Sequence, residues 1–242
     1  MHHRGELGDR RTGMEAPEMG EGAAPGLKER HSMIAVLASA GIAAPVIFTV
    51  VAIVHSLLRE DHSLVALPIR ALAVGPSGWM QDVNFVICGV LFLACPIGLH
   101  LEVRKMRWGV VGPALLVVSG AGLVLAGIFP AVAASSNLTY DSLGHTVASL
   151  MAFLGTGGGF IVISWRLAGD PNWRNLSTCG LGSGIAIVVL LFAFGALAEG
   201  PGAPLHPWIG LVQWVMVAVW ITCTVVRSPR LLRAKRAADA PG

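Results

Sequence analysis

The sequence predicts an all-α polytopic membrane helix bundle with six transmembrane helices and both termini cytoplasmic. Three observations carry that prediction. Of 242 residues, 54% are hydrophobic and only 13% are charged, with a mean hydropathy of +0.69, whereas a soluble domain carries about 25% charged residues. Six apolar stretches are long enough for a bilayer core, which needs roughly 20 helical residues. When those six are threaded through a membrane, 15 of the 17 Lys and Arg residues fall on one side, the side that faces the cytoplasm. The composition excludes a soluble enzyme, a mostly disordered chain and a disulfide-stapled secreted module.

The elements follow in order. Residues 1–31 are charged, contain Gly and Pro, and show no apolar periodicity, so they read as a disordered cytoplasmic tail. No short apolar core with a small-residue cleavage site precedes the first span, and the first helix is expected to act as an uncleaved signal anchor. The transmembrane domain, 32–226, holds spans at Met33–Leu58, Val83–Leu101, Val110–Phe129, Thr146–Leu167, Ser177–Ala198 and Trp208–Val226. None shows the alternating ten-residue pattern of a barrel strand, so all six read as helices. Pro45, Pro96 and Pro113 fall inside three of them, as bundled membrane helices tolerate. Residues 227–242 form a basic cytoplasmic tail, in which Leu231 and Leu232 lie among five basic residues, expected to lie along the anionic inner leaflet.

Helices in lipid associate through close backbone approach. Gly109, Gly120 and Gly127 share one stripe of the third span at about 100° per residue, and Gly180 and Gly184 have the small-xxx-small spacing. The run Gly155, Thr156, Gly157, Gly158, Gly159 lies mid-membrane, with no preceding strand and no Lys-Ser/Thr ending. It therefore reads as packing surface, a kink or a place of close ligand approach, not a phosphate loop. The glycine-rich helices could also serve homo-oligomer formation. Cys88, Cys95, Cys179 and Cys223 all lie within spans without a C-x-x-C and read as small hydrophobes. Trp79, Trp108, Trp173 and Trp208 fall near the interfaces, where tryptophan belts form. The sequons at Asn137 and Asn175 are weak matches. The basic residues mark topology, and no nucleic-acid partner is expected.

Polar groups gather on the outer side. The loop after the first span holds Arg59, Glu60, Asp61, His62, Arg70 and Asp82, with His55 just inside the span. Asp141 and His145 stand at the mouth of the fourth span, and Glu199 and His206 between the fifth and sixth. Asp82 shares a stripe with Gly89. If the sixth helix begins early enough, His206 shares a face with Gln213, which lies over two turns inward. A Gln at that depth needs a partner, because an unsatisfied amide in hydrocarbon costs several kcal/mol, and polar groups within spans are functional candidates.

Three chemistries compete for these residues. A zinc hydrolase could draw on His55, His62, His145 and Asp82, but no H-E-x-x-H or related spacing exists. Bis-histidine haem would need paired His at equal depth; His55 and His145 are one outer pair, and only His100 is near the inner side. A metal-free and cofactor-free site using Asp82, His145 and Gln213 fits the residues best, as a ligand pocket or as an acid–base pair of Asp82 and His145.

The run GPSGWMQDVNFVICGVLFLACPIGL (Gly75 to Leu99) has a Gly-Pro-x-Gly-Trp loop leading into an Asn-Phe helix. The run WGVVGPALLVVSGAGLVLAGIFP (Trp108 to Pro130) is a Gly-rich helix ending in Phe-Pro. With His145 opening the fourth helix and GLVQW (Gly210 to Trp214) in the sixth, the chain resembles the bacterial domain of unknown function 998 (DUF998) family over roughly Ile34 to Val226. The resemblance implies a six-helix membrane protein and no particular activity. Two departures from the family's pattern are that Phe129 and Pro130 lead into AVAASSNLTYD instead of an Asp-Pro, and that Trp214 instead of Arg follows Gln213.

The function expected from the residues is that of a plasma-membrane protein whose outward-facing polar pocket binds a small or lipidic ligand. Asp82, His145, Gln213 and His55 would line the pocket, Trp79 and Trp208 would stand at its rim, and His206 would lie nearby. Membrane lipids are its expected surroundings. A membrane-embedded hydrolase or lyase and a structural or partner-binding subunit are the alternatives. The absence of an inverted repeat and the few ionisable groups near the midplane argue against transport.

Overall fold

The computed structural model describes residues 25–103, 109–132, 142–169, 174–198 and 202–238. Six long helices account for most of them: α1 (Pro25–Leu58), α2 (Trp79–Val103), α3 (Val111–Ile128), α4 (Leu143–Leu167), α5 (Arg174–Ala193) and α6 (Ile209–Ala238). Each is long and apolar enough to cross a membrane, and no strand occurs among the described residues. A helix satisfies its own backbone hydrogen bonds, which hydrocarbon requires of any spanning segment.

Several boundaries differ from expectation. Helix α1 begins at Pro25, inside the stretch expected to be a disordered tail. Proline suits a first helical position, and the Leu, Lys, Glu and Arg that follow are good helix formers. Residues 1–24 lie outside the described part. Helix α6 does not stop at Val226 but continues to Ala238, so the basic segment extends the helix instead of forming a separate piece; its Leu, Arg, Lys and Ala favour that. Helix α2 starts at Trp79, ahead of Val83. Pro45 and Pro96 lie within α1 and α2, whereas Pro113 stands in the first turn of α3, where its missing N–H removes no helical bond.

The order of helices around the bundle is sequential. Each helix packs chiefly on its chain neighbours, and α6 returns to pack on α1, closing a ring. Glycines set the seams. A Cβ on Gly89 of α2 would stand 2.8 Å from the carbonyl of Gly120 on α3. One on Gly155 of α4 would stand 2.7 Å from the Leu115 carbonyl and the Ser119 nitrogen of α3. One on Gly184 of α5 would stand 2.7 Å from the carbonyl of Gly157. Gly120 and Gly127 of the predicted stripe both face α2. The glycines are packing surface, and helix α4 runs unbroken through its glycine run. At these seams the glycines join helices of one chain, whereas Gly182 of α5 has nothing within 4 Å of where a Cβ would stand.

The segment between α1 and α2 is not an open loop. It folds over the end of the ring opposite Pro25 and Ala238 as a cap, centred on a 3-10 helix, Ile69–Ala73, that buries Ile69, Ala71, Leu72 and Ala73. Arg59 pins it: Nη1 donates to the carbonyls of Val74 at 2.7 Å, Leu72 at 3.3 Å and Ala71 at 3.4 Å, while Nε donates to Asp61 Oδ1 at 2.9 Å. The cap also docks on α6. The N–H of Leu211 donates to the Val65 carbonyl at 3.1 Å. Only a glycine at 210 leaves room for the carbonyls of Leu64, Val65 and Leu67, all within 2.9 Å of where a Cβ would be.

Candidate functional site

Beneath the cap lies a chamber of about 40 Å³ to which all six helices contribute. Phe48 comes from α1, Phe85 from α2, Ser119 from α3, Ile187 from α5, and both Gln213 and Trp220 from α6. Helix α4 gives His145 and Thr156, and Ile69 of the cap completes the lining. The aromatic side chains touch in series. The rings of His145 and Phe85 are 5.7 Å apart, those of Phe85 and Phe48 5.3 Å, and those of Phe48 and Trp220 6.2 Å. Phe92 meets the Trp220 ring at 5.4 Å. These tilted and edge-on contacts are the arrangement that aromatic quadrupoles favour.

Four polar residues of the chamber, His145, Gln213, Ser119 and Thr156, are fixed by local needs of the fold. His145 sits in the first turn of α4, behind a Ser142 cap, and is 2% exposed. Its Nδ1 lies 3.0 Å from the carbonyl of Ala126 and 3.1 Å from that of Phe129. These carbonyls belong to the end of α3, where the last turn has no helical donors left. Carbonyls only accept, so Nδ1 carries the proton and Nε2 is left as an acceptor. Gln213 Oε1 accepts the backbone N–H of Ile69 at 2.7 Å, leaving the amide NH₂ as its free end. Ser119 Oγ donates to the Ala152 carbonyl at 2.8 Å and lies 2.6 Å from Thr156 Oγ1, tying α3 to α4. The indole nitrogen of Trp220 is buried without a hydrogen-bond partner.

The other expected site residues stand elsewhere. Asp82 lies on the face of α2 that packs on α3: its backbone carbonyl abuts Gly127, and Gly89 on the same stripe abuts α3. Its side chain is half-buried, with Oδ1 unpartnered, but it does not line the chamber. His55 is buried under the cap, with Nε2 3.1 Å from Ser77 Oγ. Trp79, at the start of α2, is 63% exposed and, like Trp208, lines no part of the chamber. His206 and Gln213 do not share a helical face, because His206 belongs to a separate 3-10 turn, His206–Trp208, before α6 begins. Asp141, Glu199, Trp108, Trp173 and Asn137 lie outside the described residues. None of Cys88, Cys95, Cys179 and Cys223 forms a disulfide; two are buried and two half-buried. Among the described residues, no group of three or more His, Cys, Asp or Glu is placed to hold a metal ion.

Two titratable groups of the cap are perturbed. His62, whose Nδ1 is 2.7 Å from Ser56 Oγ, has its pKa lowered chiefly by burial, with the Arg59 charge acting in the same direction. The Arg59 side chain, by hydrogen bonding to Asp61, holds that carboxyl below the usual carboxylate range.

The sequence pattern of a family described as a protein of unknown function, DUF998, matches residues 42–227. The chain belongs to the DUF998 family. The matched region runs from α1 through the apolar part of α6, so it contains the whole cap and every DUF998 residue that lines the chamber. No curated protein and no solved structure matches the chain.

Among the chamber residues of this DUF998 chain, Ser119 and Trp220 went unnoticed in the sequence, and Thr156 was named only as a member of the glycine run. The two hydroxyls were hidden in the glycine-rich runs. Their signal is that each is a polar side chain within a span, the same criterion that singled out Gln213. Trp220 lies mid-helix, away from the interfaces that account for Trp79 and Trp208, and that depth was its signal.

Proposed function

We propose that this DUF998 protein resides in the bacterial plasma membrane with both termini in the cytoplasm, and that it binds a small or lipidic ligand in the outward-facing chamber beneath its cap. The observation that carries this reading is that His145 and Gln213, on different helices and each more than nine-tenths buried, line one chamber. Buried polar side chains within spans mark ligand paths and sites more often than packing. The strong bias of Lys and Arg to the side that carries the termini supports that orientation. A chamber of about 40 Å³ exceeds the roughly 10–15 Å³ that one water requires, so it accepts a polar end of a few atoms. Helix α6 makes the slimmest seams in the ring, with α5 and with α1, and these are natural paths for an apolar tail. Asp82 does not line the chamber, so the binding reading rests on His145 and Gln213, and an acid–base pair of Asp82 and His145 is the alternative.

Native mass spectrometry of the protein extracted gently from its membrane tests this reading. A reproducible bound mass that disappears in His145→Ala is the expected result. A bare wild-type protein overturns it.

A further inference from the structure

The chamber's hydrogen-bonding groups are few enough to define the chemistry of what enters it, and this inference rests on the binding function just proposed. The Trp220 indole nitrogen is a donor and nothing else. Its side chain, only 7% exposed, lines the chamber, and the nitrogen itself is buried with no partner. An unmet buried donor is costly, by the full desolvation of the group. Gln213 has its oxygen engaged by the Ile69 N–H, so what it can offer a ligand is its NH₂. His145 has Nδ1 directed at two carbonyls, so what it can offer is the Nε2 lone pair. The chamber therefore presents two donors on α6, from Gln213 and Trp220, and on α4 the His145 acceptor together with the hydroxyls of Ser149 and Thr156, the latter already paired with Ser119.

Among the described residues, no Asp, Glu, Lys or Arg lines it. Arg70 of the cap lies over the Phe194 ring instead, 5.5 Å from its centre. An ion brought into such a site would be unpaired in a low-dielectric surround, which is strongly unfavourable. The remaining walls are Phe48, Phe85 and Ile187 with other apolar groups.

We infer that the chamber takes the hydroxyl end of an uncharged membrane amphiphile. The hydroxyl oxygen accepts from Trp220 and Gln213, and its hydrogen is donated to His145. A hydroxyl is the smallest neutral group that both accepts and donates. It suits the volume, and its alkyl chain remains in the apolar surround.

Binding of chain-matched probes to the purified full chain in detergent tests the inference, with competition against the native adduct as readout. The probes are decanol, decanoate and decylammonium at pH 8, decane, and the water-soluble propanol. Decanol is expected to bind tightest, with decanoate and decylammonium at least tenfold weaker. Trp220→Phe keeps the ring and removes the N–H, so it should weaken decanol about two- to tenfold and leave decane unchanged. Equal binding of decanoate or decylammonium, or an unaltered decanol affinity in Trp220→Phe, overturns the inference while the binding function stands. Propanol matching decanol overturns the membrane source and points to a water-borne alcohol. If no probe binds and the native protein carries no adduct, the binding function itself fails.

Discussion

The side-chain oxygen of Gln213, on the last helix, accepts the backbone N–H of Ile69, 144 residues earlier in the chain, at 2.7 Å. This bond joins the cap to the chamber, since both residues line it. It also explains why a primary amide is placed inside an apolar span. The 3-10 helix of the cap begins at Ile69, and the first N–H groups of a helix have no donor-to-carbonyl bond of their own. Gln213 supplies the missing acceptor.

Replacing Gln213 with Leu leaves the Ile69 N–H buried and unmet. The expected cost is about 1–3 kcal/mol, seen as a lower Tm in detergent. Faster amide exchange should be confined to the cap at first. An unchanged Tm would mean that water replaces the amide.

Arg59 holds the cap from the other side, with three carbonyls and one carboxylate as partners. Lysine retains the charge but not the planar fork. Arg59→Lys should therefore cost about 1–2 kcal/mol, raising exchange of residues 69–74 roughly tenfold. The exchange of α3 and α4 is the internal control and should not move.

The glycine seams differ in what they tolerate. At Gly155 a Cβ would meet backbone atoms of α3 at 2.7 Å, and backbone cannot step aside as a side chain can. Gly155→Ala should destabilise by about 1–3 kcal/mol. At Gly182 nothing lies within 4 Å, so Gly182→Ala should be neutral or stabilise by up to about 1 kcal/mol. Thermal unfolding of the two variants side by side distinguishes them.

The cap should loosen in acid through His62. Burial lowers its pKa in the folded protein, so below about 6.5 the unfolded chain binds a proton that the folded chain resists. Stability is then lost as pH falls. Asp61 also has a lowered pKa, so its stabilising contribution is complete above the ordinary carboxylate range near 4 and is lost progressively only as pH falls through and below that range. Between these limits His62 supplies the cap's acid sensitivity. Tm measured at pH 7.5 and 5.5 should fall for the wild type and fall less for His62→Gln.

The hydropathy of the sequence suffices to find six spans, because hydrocarbon allows a helix and little else. The helix ends are less legible. Pro25 and the basic stretch after Val226 are helical for reasons of propensity, which hydropathy does not register. His145 and Gln213 could be identified one at a time as polar residues in apolar runs. Asp82 and His55 satisfied the same criterion but sit at other places around the ring. Polarity along the chain gives depth, whereas the angle around the bundle depends on which helices are neighbours. The cap was illegible for a similar reason: Ile69, Ala71, Leu72 and Ala73 look like a short apolar stretch in a loop until the ring end they cover is known.

The sequential ring has a consequence for biogenesis. Helices that pack on their chain neighbours can pair as they emerge, each finding its partner already in the bilayer. Until α6 arrives, α1 and α5 border an open slot, and Phe48 and Ile69 have no wall opposite them. The last helix to be synthesised brings Gln213 and Trp220 together, so the chamber comes into being only at the final step of insertion. The presence of the chamber is thus a report on completed assembly, and a chain stalled before α6 would be a five-helix sheath without one.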